Sequence, residues 1–157
     1  LEVHAATVRT YRGAAVGVFT TSPRFGSLPD ATLIRERLGL ALAGALPLAE
    51  RIAAKERDYG GPAEAEAAPN VLWFDDEAGD NAGAVVLELR AADRIGLLYR
   101  VAEAIEGCDV DVLWARAATL GGTAIDSFCV RAGTGASLDT ARRTNMADAI
   151  RAAATAS

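Results

Sequence analysis

Along residues 110 to 130, apolar and polar positions alternate with a period of two. Val110, Val112 and Trp114 alternate with Asp111, Leu113 and Ala115. Past Gly121-Gly122, Ala124, Phe128 and Val130 share one side with Asp126 among them, and Ile125, Ser127 and Cys129 share the other. Two such runs around a Gly-Gly pair predict a β-hairpin with one covered face. Residues 84 to 90 predict another strand, with Val85, Leu87 and Leu89 on one side. The period then changes. Over 95 to 106, Ile95, Leu98, Val101, Ala102 and Ile105 fall on one helical stripe. A last helix carries Met146, Ala149, Ile150 and Ala153, with Ser137 or Asp139 as its cap.

The front of the chain repeats the hairpin. When LEVHAATVRTYRGAAVGVFT (1 to 20) is laid over VDVLWARAATLGGTAIDSFC (110 to 129), Val3 meets Val112 and Ala6 meets Ala115. Thr10 meets Thr119, Gly13 meets Gly122, Ala15 meets Ala124 and Phe19 meets Phe128, without a gap. This is the mark of two copies of one unit. Pro29-Asp30 opens a helix with Ile34, Leu38, Ala41, Leu42 and Ala45 on one face. Gly44 and Pro47 break it, and a second helical piece runs to about Tyr59. DYGGPAEAEAAPN (58 to 70) has linker composition, and VLWFDD (71 to 76) reads as a short strand, assigned to the fourth place of the first unit.

The second copy is therefore strand, helix, strand, strand, helix, and the first begins at its second strand. The plan is α+β: tandem ferredoxin-like βαββαβ units, each an antiparallel sheet with its helices on one face. The expected division is a partial first unit at 1–58, a linker at 59–83 and a second unit at 84–157. The last sheet either stops at three strands or borrows a fourth, leaving an edge for pairing.

Composition narrows the classes. The net charge of −5, with basic residues mixed among acids as in AERIAAKERD (49 to 58), argues against a nucleic-acid surface. The longest apolar run, LGLALAGALPLA (38 to 49), is too short to span a bilayer, so neither a membrane nor a secretory route is expected and the cytoplasm is. Cys108 and Cys129 have no CxxC spacing and read as reduced thiols; with His4 the single histidine, a His/Cys metal site is not expected.

Candidate chemistry centres on AADRIGLLYRVAEAIE (91 to 106), where a strand passes into a helix through Asp93, Arg94, Ile95, Gly96, Leu97 and Leu98. First-turn amides have no intrahelical partner and attract anions. Gly96 lets a ligand or another backbone come close, and Asp93 can accept from an ammonium group. A free α-amino acid carries both charges at that separation. The alternative is structural: Asp93 caps the helix, Gly96 packs on the sheet, and Leu97 and Leu98 are core.

This stretch, with ARAATLGGTAIDSFCV after it, resembles an ACT domain, a regulatory amino-acid-binding module that commonly carries Asp-Arg-Pro-Gly-Leu-Leu here. The phrase A-x-x-A-T-x-G-x-x-x-x-D-x-F-x-V, Ala115 to Val130, is similar to the tandem ACT segment that ends the bacterial PII uridylyltransferase/uridylyl-removing enzymes, of the actinobacterial type. The resemblance covers nearly the whole chain. It implies glutamine sensing that controls a nucleotidyltransferase acting on the PII nitrogen-signalling protein, the group transferred being uridylyl or, in some relatives, adenylyl. It implies as ligand-site residues Asp93, Arg94, Gly96, Leu97 and Leu98, with Ile95 in place of the usual Pro. The implied partners are the amino acid, the catalytic domains of the parent enzyme, and another ACT unit or a second copy.

No catalysis is expected of these residues themselves. Asp75, Asp76 and Glu77, or Asp109 and Asp111, are the nearest approaches to a carboxylate metal site, and neither has a phosphate-binding loop beside it. No cofactor is expected, Mg²⁺ belonging to catalytic domains. Ser127 lacks a nearby base, His4 reads as a packed or edge residue, and Trp73 and Trp114 as core or interface anchors. Two rivals stand beside the sensor: an ACT-type dimerisation or interaction module without a ligand, and an ACT tail from a biosynthetic dehydrogenase or a stringent-response synthetase.

Overall fold

The computed structural model describes residues 2–23, 26–59, 68–75, 78–79, 81–133 and 137–156. The linker stretch 60–67 and the pair Asp76 and Glu77 lie outside them. Ten elements follow in order: β1 (Glu2–Tyr11), β2 (Ala14–Ser22), α1 (Ala31–Leu42), α2 (Leu48–Tyr59), β3 (Asn70–Phe74), β4 (Ala84–Ala92), α3 (Leu97–Glu106), β5 (Val110–Leu120), β6 (Thr123–Ala132) and α4 (Thr140–Thr155). The six strands form one antiparallel sheet in the order β2-β1-β5-β6-β4-β3. The class is the α+β, ferredoxin-like tandem that the repeat implies.

The repeat is physical as well as textual. Both hairpins turn through two positive-φ residues, Arg12-Gly13 and Gly121-Gly122, the backbone that suits a two-residue connection. Both carry a bulge at the same repeat position. His4 is the extra residue between Val3 and Ala5 of β1, and Leu113 the extra residue between Val112 and Trp114 of β5. The two copies then pair with each other, β1 against β5, with Thr7 opposite Arg116. Those two residues are also each other's counterparts in the repeat, so a local two-fold axis passes between them.

The bulge corrects one expectation. Strict alternation places Val110, Val112 and Trp114 on one face, but the extra residue reverses the phase. Ala115 therefore joins Val110 on the helix-covered face, and Trp114 packs with Leu113 on the opposite one, against Val86 and Cys129.

The core lies where α3 and α4 cover β5, β6, β4 and β3. Leu87 and Leu89 of β4 meet Val101 and Ile105 of α3 and Met146 and Ile150 of α4, all nearly inaccessible. Each such side chain contributes about 1.5–3 kcal/mol on burial. The stripe of α3 is Leu97, Val101 and Ile105, not the stripe through Ile95 and Leu98. The helix starts only at Leu97, which shifts the buried face, and Leu98 is 38% exposed rather than core. Asp139 caps α4 by accepting from the Arg142 amide at 2.9 Å.

The strand β3 is also corrected. It pairs with β4, Val71 opposite Leu89 and Trp73 opposite Leu87, and so takes the fourth place in the second unit's sheet rather than the first's. The last sheet borrows its missing strand. Arg143 of α4 fastens it, stacking 5.6 Å from the Trp73 ring and donating to Asp75 at 2.6 Å.

The first unit is barer. Neither α1 nor α2 buries a residue, and Phe19 is 55% exposed where its counterpart Phe128 is 4% exposed. Ile34, Leu38 and Leu42, the expected apolar face of α1, are exposed as well.

Candidate functional site

Where β4 ends, the chain turns through Asp93 to Gly96 before α3 begins. Asp93 is anchored on both sides by the hairpin beside it: its amide donates to Gly122 O at 2.8 Å, and its carboxylate accepts from Thr119 Oγ1 at 3.0 Å. It does not cap the helix. The N-cap is Gly96, at φ 80° and ψ −2°, with no side-chain hydrogen bond to the first turn. A left-handed backbone there is open to glycine and strained for other residues. Ile95 stands where a proline would pre-set the turn, and the turn is held instead by the Leu97 amide donating to Arg94 O at 3.1 Å.

On one side of Gly96 the space is taken up by α2 and Arg100. A Cβ added there would run into Ile52 Cγ2 of α2 and lie 3.0 Å from Arg100 Nη1. Arg100 also donates to Glu56 of α2, 3.3 Å away, and to Ala153 O of α4 at 3.2 Å. Helix α2 is thus clasped to the start of α3 by one apolar contact and one half-buried ion pair.

These elements enclose a cavity of about 650 Å³. The turn residues Asp93 to Tyr99 form one wall, and all six sequence-assigned site residues (Asp93, Arg94, Ile95, Gly96, Leu97 and Leu98) line it. β5 and β6 of the second unit add Thr119 and Asp126 among others, and the first unit contributes the start of β1, with His4, and Lys55 and Tyr59 of α2. His4 Nε2 lies 2.7 Å from Ser22 Oγ on the neighbouring strand. The volume is that of a small-molecule site.

Among the lining residues outside the sequence assignments is a buried acid. Asp126 stands on the helix-covered face of β6 between Ala124 and Phe128, and is 3% exposed. Its carboxyl is pushed up to about 6, first by burial and then by the Asp93 carboxylate, against the pull of a hydrogen bond from the Ala118 amide. The signal was present in the sequence as an acid inside an apolar alternation. Its repeat counterpart is Gly17, so only the second unit carries it.

The other candidates are brought into structural roles. Asp75 pairs with Arg143, which holds its carboxyl below the usual range. Asp111 is 3.5 Å from Arg131 and Asp109 3.6 Å from Arg142, all near the surface. Among the described residues no group of His, Cys, Asp or Glu has the arrangement of a metal site. Cys129 is buried and Cys108 half-buried, donating to Ala104 O; burial pushes both thiols up. Trp114 is an anchor, stacked by Arg116. Among the described residues no helix is long and apolar enough to cross a membrane.

Comparison with known proteins places the whole arrangement in context. A bifunctional uridylyltransferase/uridylyl-removing enzyme of Mycobacterium tuberculosis is 35% identical over 144 residues, covering 83% of this chain and 18% of that protein. The enzyme of the same description from Streptomyces coelicolor is 35% identical over 150 residues, covering 88% of this chain and 18% of its own length. The chain thus spans less than a fifth of the length of the curated relatives it matches. No family profile matches it, and no solved structure does.

Proposed function

We propose that this chain, which belongs to the bifunctional uridylyltransferase/uridylyl-removing enzyme family as a homologue of one segment of those proteins, is their amino-acid-sensing regulatory part. Its ligand is a free α-amino acid, and by the ACT resemblance that ligand is glutamine. Its output is control of catalytic domains that act on the PII nitrogen-signalling protein.

One observation carries the reading. Asp93 is released from capping the helix and lines a cavity of about 650 Å³ together with the uncapped start of α3. A ligand carboxylate is favoured near the first-turn amides, with Lys55 and Arg94 in the same wall, and a ligand ammonium near Asp93. The cavity is lined from both repeat units, so occupancy changes how α2 and β1 of one sit on the α3 junction of the other. That is the differential contact a regulatory ligand needs. Calorimetric titration of the chain with L-glutamine, L-glutamate, L-serine and L-phenylalanine tests it. Saturable heat with glutamine, abolished by Asp93→Ala at unchanged melting temperature, is the expected result. Heat that survives Asp93→Ala refutes the placement.

A second reading, an interaction module without a ligand, draws on a different observation. The outer strand β2 has no partner on its far side among the described residues, and Val16 and Val18 on it are exposed, as is the apolar face of α1. On that reading Val18→Lys splits a dimer and Asp93→Ala changes nothing.

A further inference from the structure

We propose that Asp126 and Asp93 together form a two-carboxylate subsite for the ammonium group of the ligand, in which amine and proton compete. The inference rests on the amino-acid reading above and names the group that reads the ligand's positive end.

A carboxylate does not sit on the covered face of a sheet without cause. Asp126 is almost inaccessible from outside yet lines the cavity, among apolar neighbours that would pack as well around a small apolar residue. The Ala118 amide supports it, a task an asparagine oxygen performs equally. What asparagine lacks is the charge. The charge is opposed by burial and by the Asp93 carboxylate, which lines the same cavity, and a cation or a proton relieves both. Other ionisable groups lining the space are Glu2 and His4 from β1, Lys55 and Tyr59 from α2, Arg94 from the turn and Tyr99 from α3. The Asp93 carboxylate in this wall pushes the Asp126 carboxyl up. The subsite is therefore poised for a cation that arrives with the ligand. Gly17 at the equivalent position of the first unit confines it to the second.

Linkage gives the size of the effect. With the free carboxyl titrating near 6, protons displace the amine below that pH, and affinity is about tenfold weaker at pH 5.0 than at pH 7.5. The test is calorimetry of the full chain with L-glutamine, and with the other standard amino acids should glutamine give no heat. Glutaramic acid, which keeps the chain and the amide but not the ammonium, is the control. In the wild type, glutamine binding weakens about tenfold at pH 5.0. Asp126→Asn binds glutamine at least about tenfold more weakly at pH 7.5 and loses the pH dependence, while binding glutaramic acid as the wild type does. A ¹³C titration of the wild-type Asp126 carboxyl, which needs no variant, moves down by about one unit or more on saturation with the amino acid.

Wild-type affinity and pH profile in Asp126→Asn, or an Asp126 titration unmoved by saturating ligand, overturn the subsite and leave the amino-acid reading standing. No heat with any amino acid overturns both.

Discussion

Replacing Gly96 by Ala probes the clasp between the two units, and its cost can be worked from the structure. At φ 80° an alanine pays about 1–2 kcal/mol for a left-handed backbone. Its Cβ also has no room: it meets Ile52 Cγ2 and the Arg100 guanidinium, and forcing a methyl into such a contact costs about 1–3 kcal/mol. The sum is about 2–5 kcal/mol, lowered by roughly 0.5 because alanine restricts the unfolded chain. The two parts separate in a double-mutant cycle. Ile52→Ala removes the methyl that the new Cβ strikes but leaves the backbone strain, so Gly96→Ala costs only about 1 kcal/mol in that background. Urea denaturation of the wild type, both single variants and the double variant gives the coupling, expected at about 1 kcal/mol or more. Equal costs in both backgrounds would show that α2 does not rest on Gly96. A cost below about 0.5 kcal/mol in the wild type would deny the left-handed turn itself.

Three further outcomes follow from the same structure. The Asp126 carboxyl titrates near 6 folded against an ordinary 3.8, so its contribution is fully present below about 3.8 and lost as pH rises through 6. Asp126→Asn therefore gains on the wild type by about 2.4 kcal/mol between pH 4 and pH 7.5, measured by thermal melts across that range; parallel curves would contradict the burial argument. Breaking the Glu56–Arg100 pair with Glu56→Ala costs about 1 kcal/mol, and hydrogen exchange speeds up over α2 while α3 and α4 keep their protection. Leu87→Ala, at a fully buried point of β4, costs about 2–5 kcal/mol in denaturant, and a value under 1 would place the core elsewhere.

Much of the fold was legible because its signals are local. Two Gly-bearing turns, period-two runs and the ungapped match between residues 1–20 and 110–129 are properties of neighbours in the chain. The parts that were not legible depend on distant contacts. A bulge at Leu113 inverts the alternation, and nothing in VDVLWAR announces it, since Leu and Trp suit either face. The pairing of β3 with β4 goes with a contact between Arg143 and Trp73, far apart in sequence. The start of α3 moved by two residues because Gly96 takes a left-handed turn where a helical stripe through Ile95 was equally readable. At the candidate site six turn residues were assigned from the strand-to-helix junction, five of them on its motif and Ile95 in place of the motif's proline, and the structure puts all six along one cavity. Asp126 was in view as an acid among apolar positions, but its meaning needed Asp93 beside it in space. Ile52 could not be found at all, because what marks it is the void left by a glycine some forty positions on.

The register between β1 and β5 has a history in it. A strand that pairs with its own counterpart about a two-fold axis is the arrangement by which two identical subunits meet, each offering the other the same patch. Here both patches lie on one polypeptide, with matching bulges and matching turns, as when a gene for a self-associating unit is duplicated and the copies are fused. Fusion frees the halves to diverge. One copy carries an acid in its covered face, and the other has a glycine there and lends its helix to its sister's turn. Division of labour is open to such a pair and closed to a homodimer, in which every substitution is made twice.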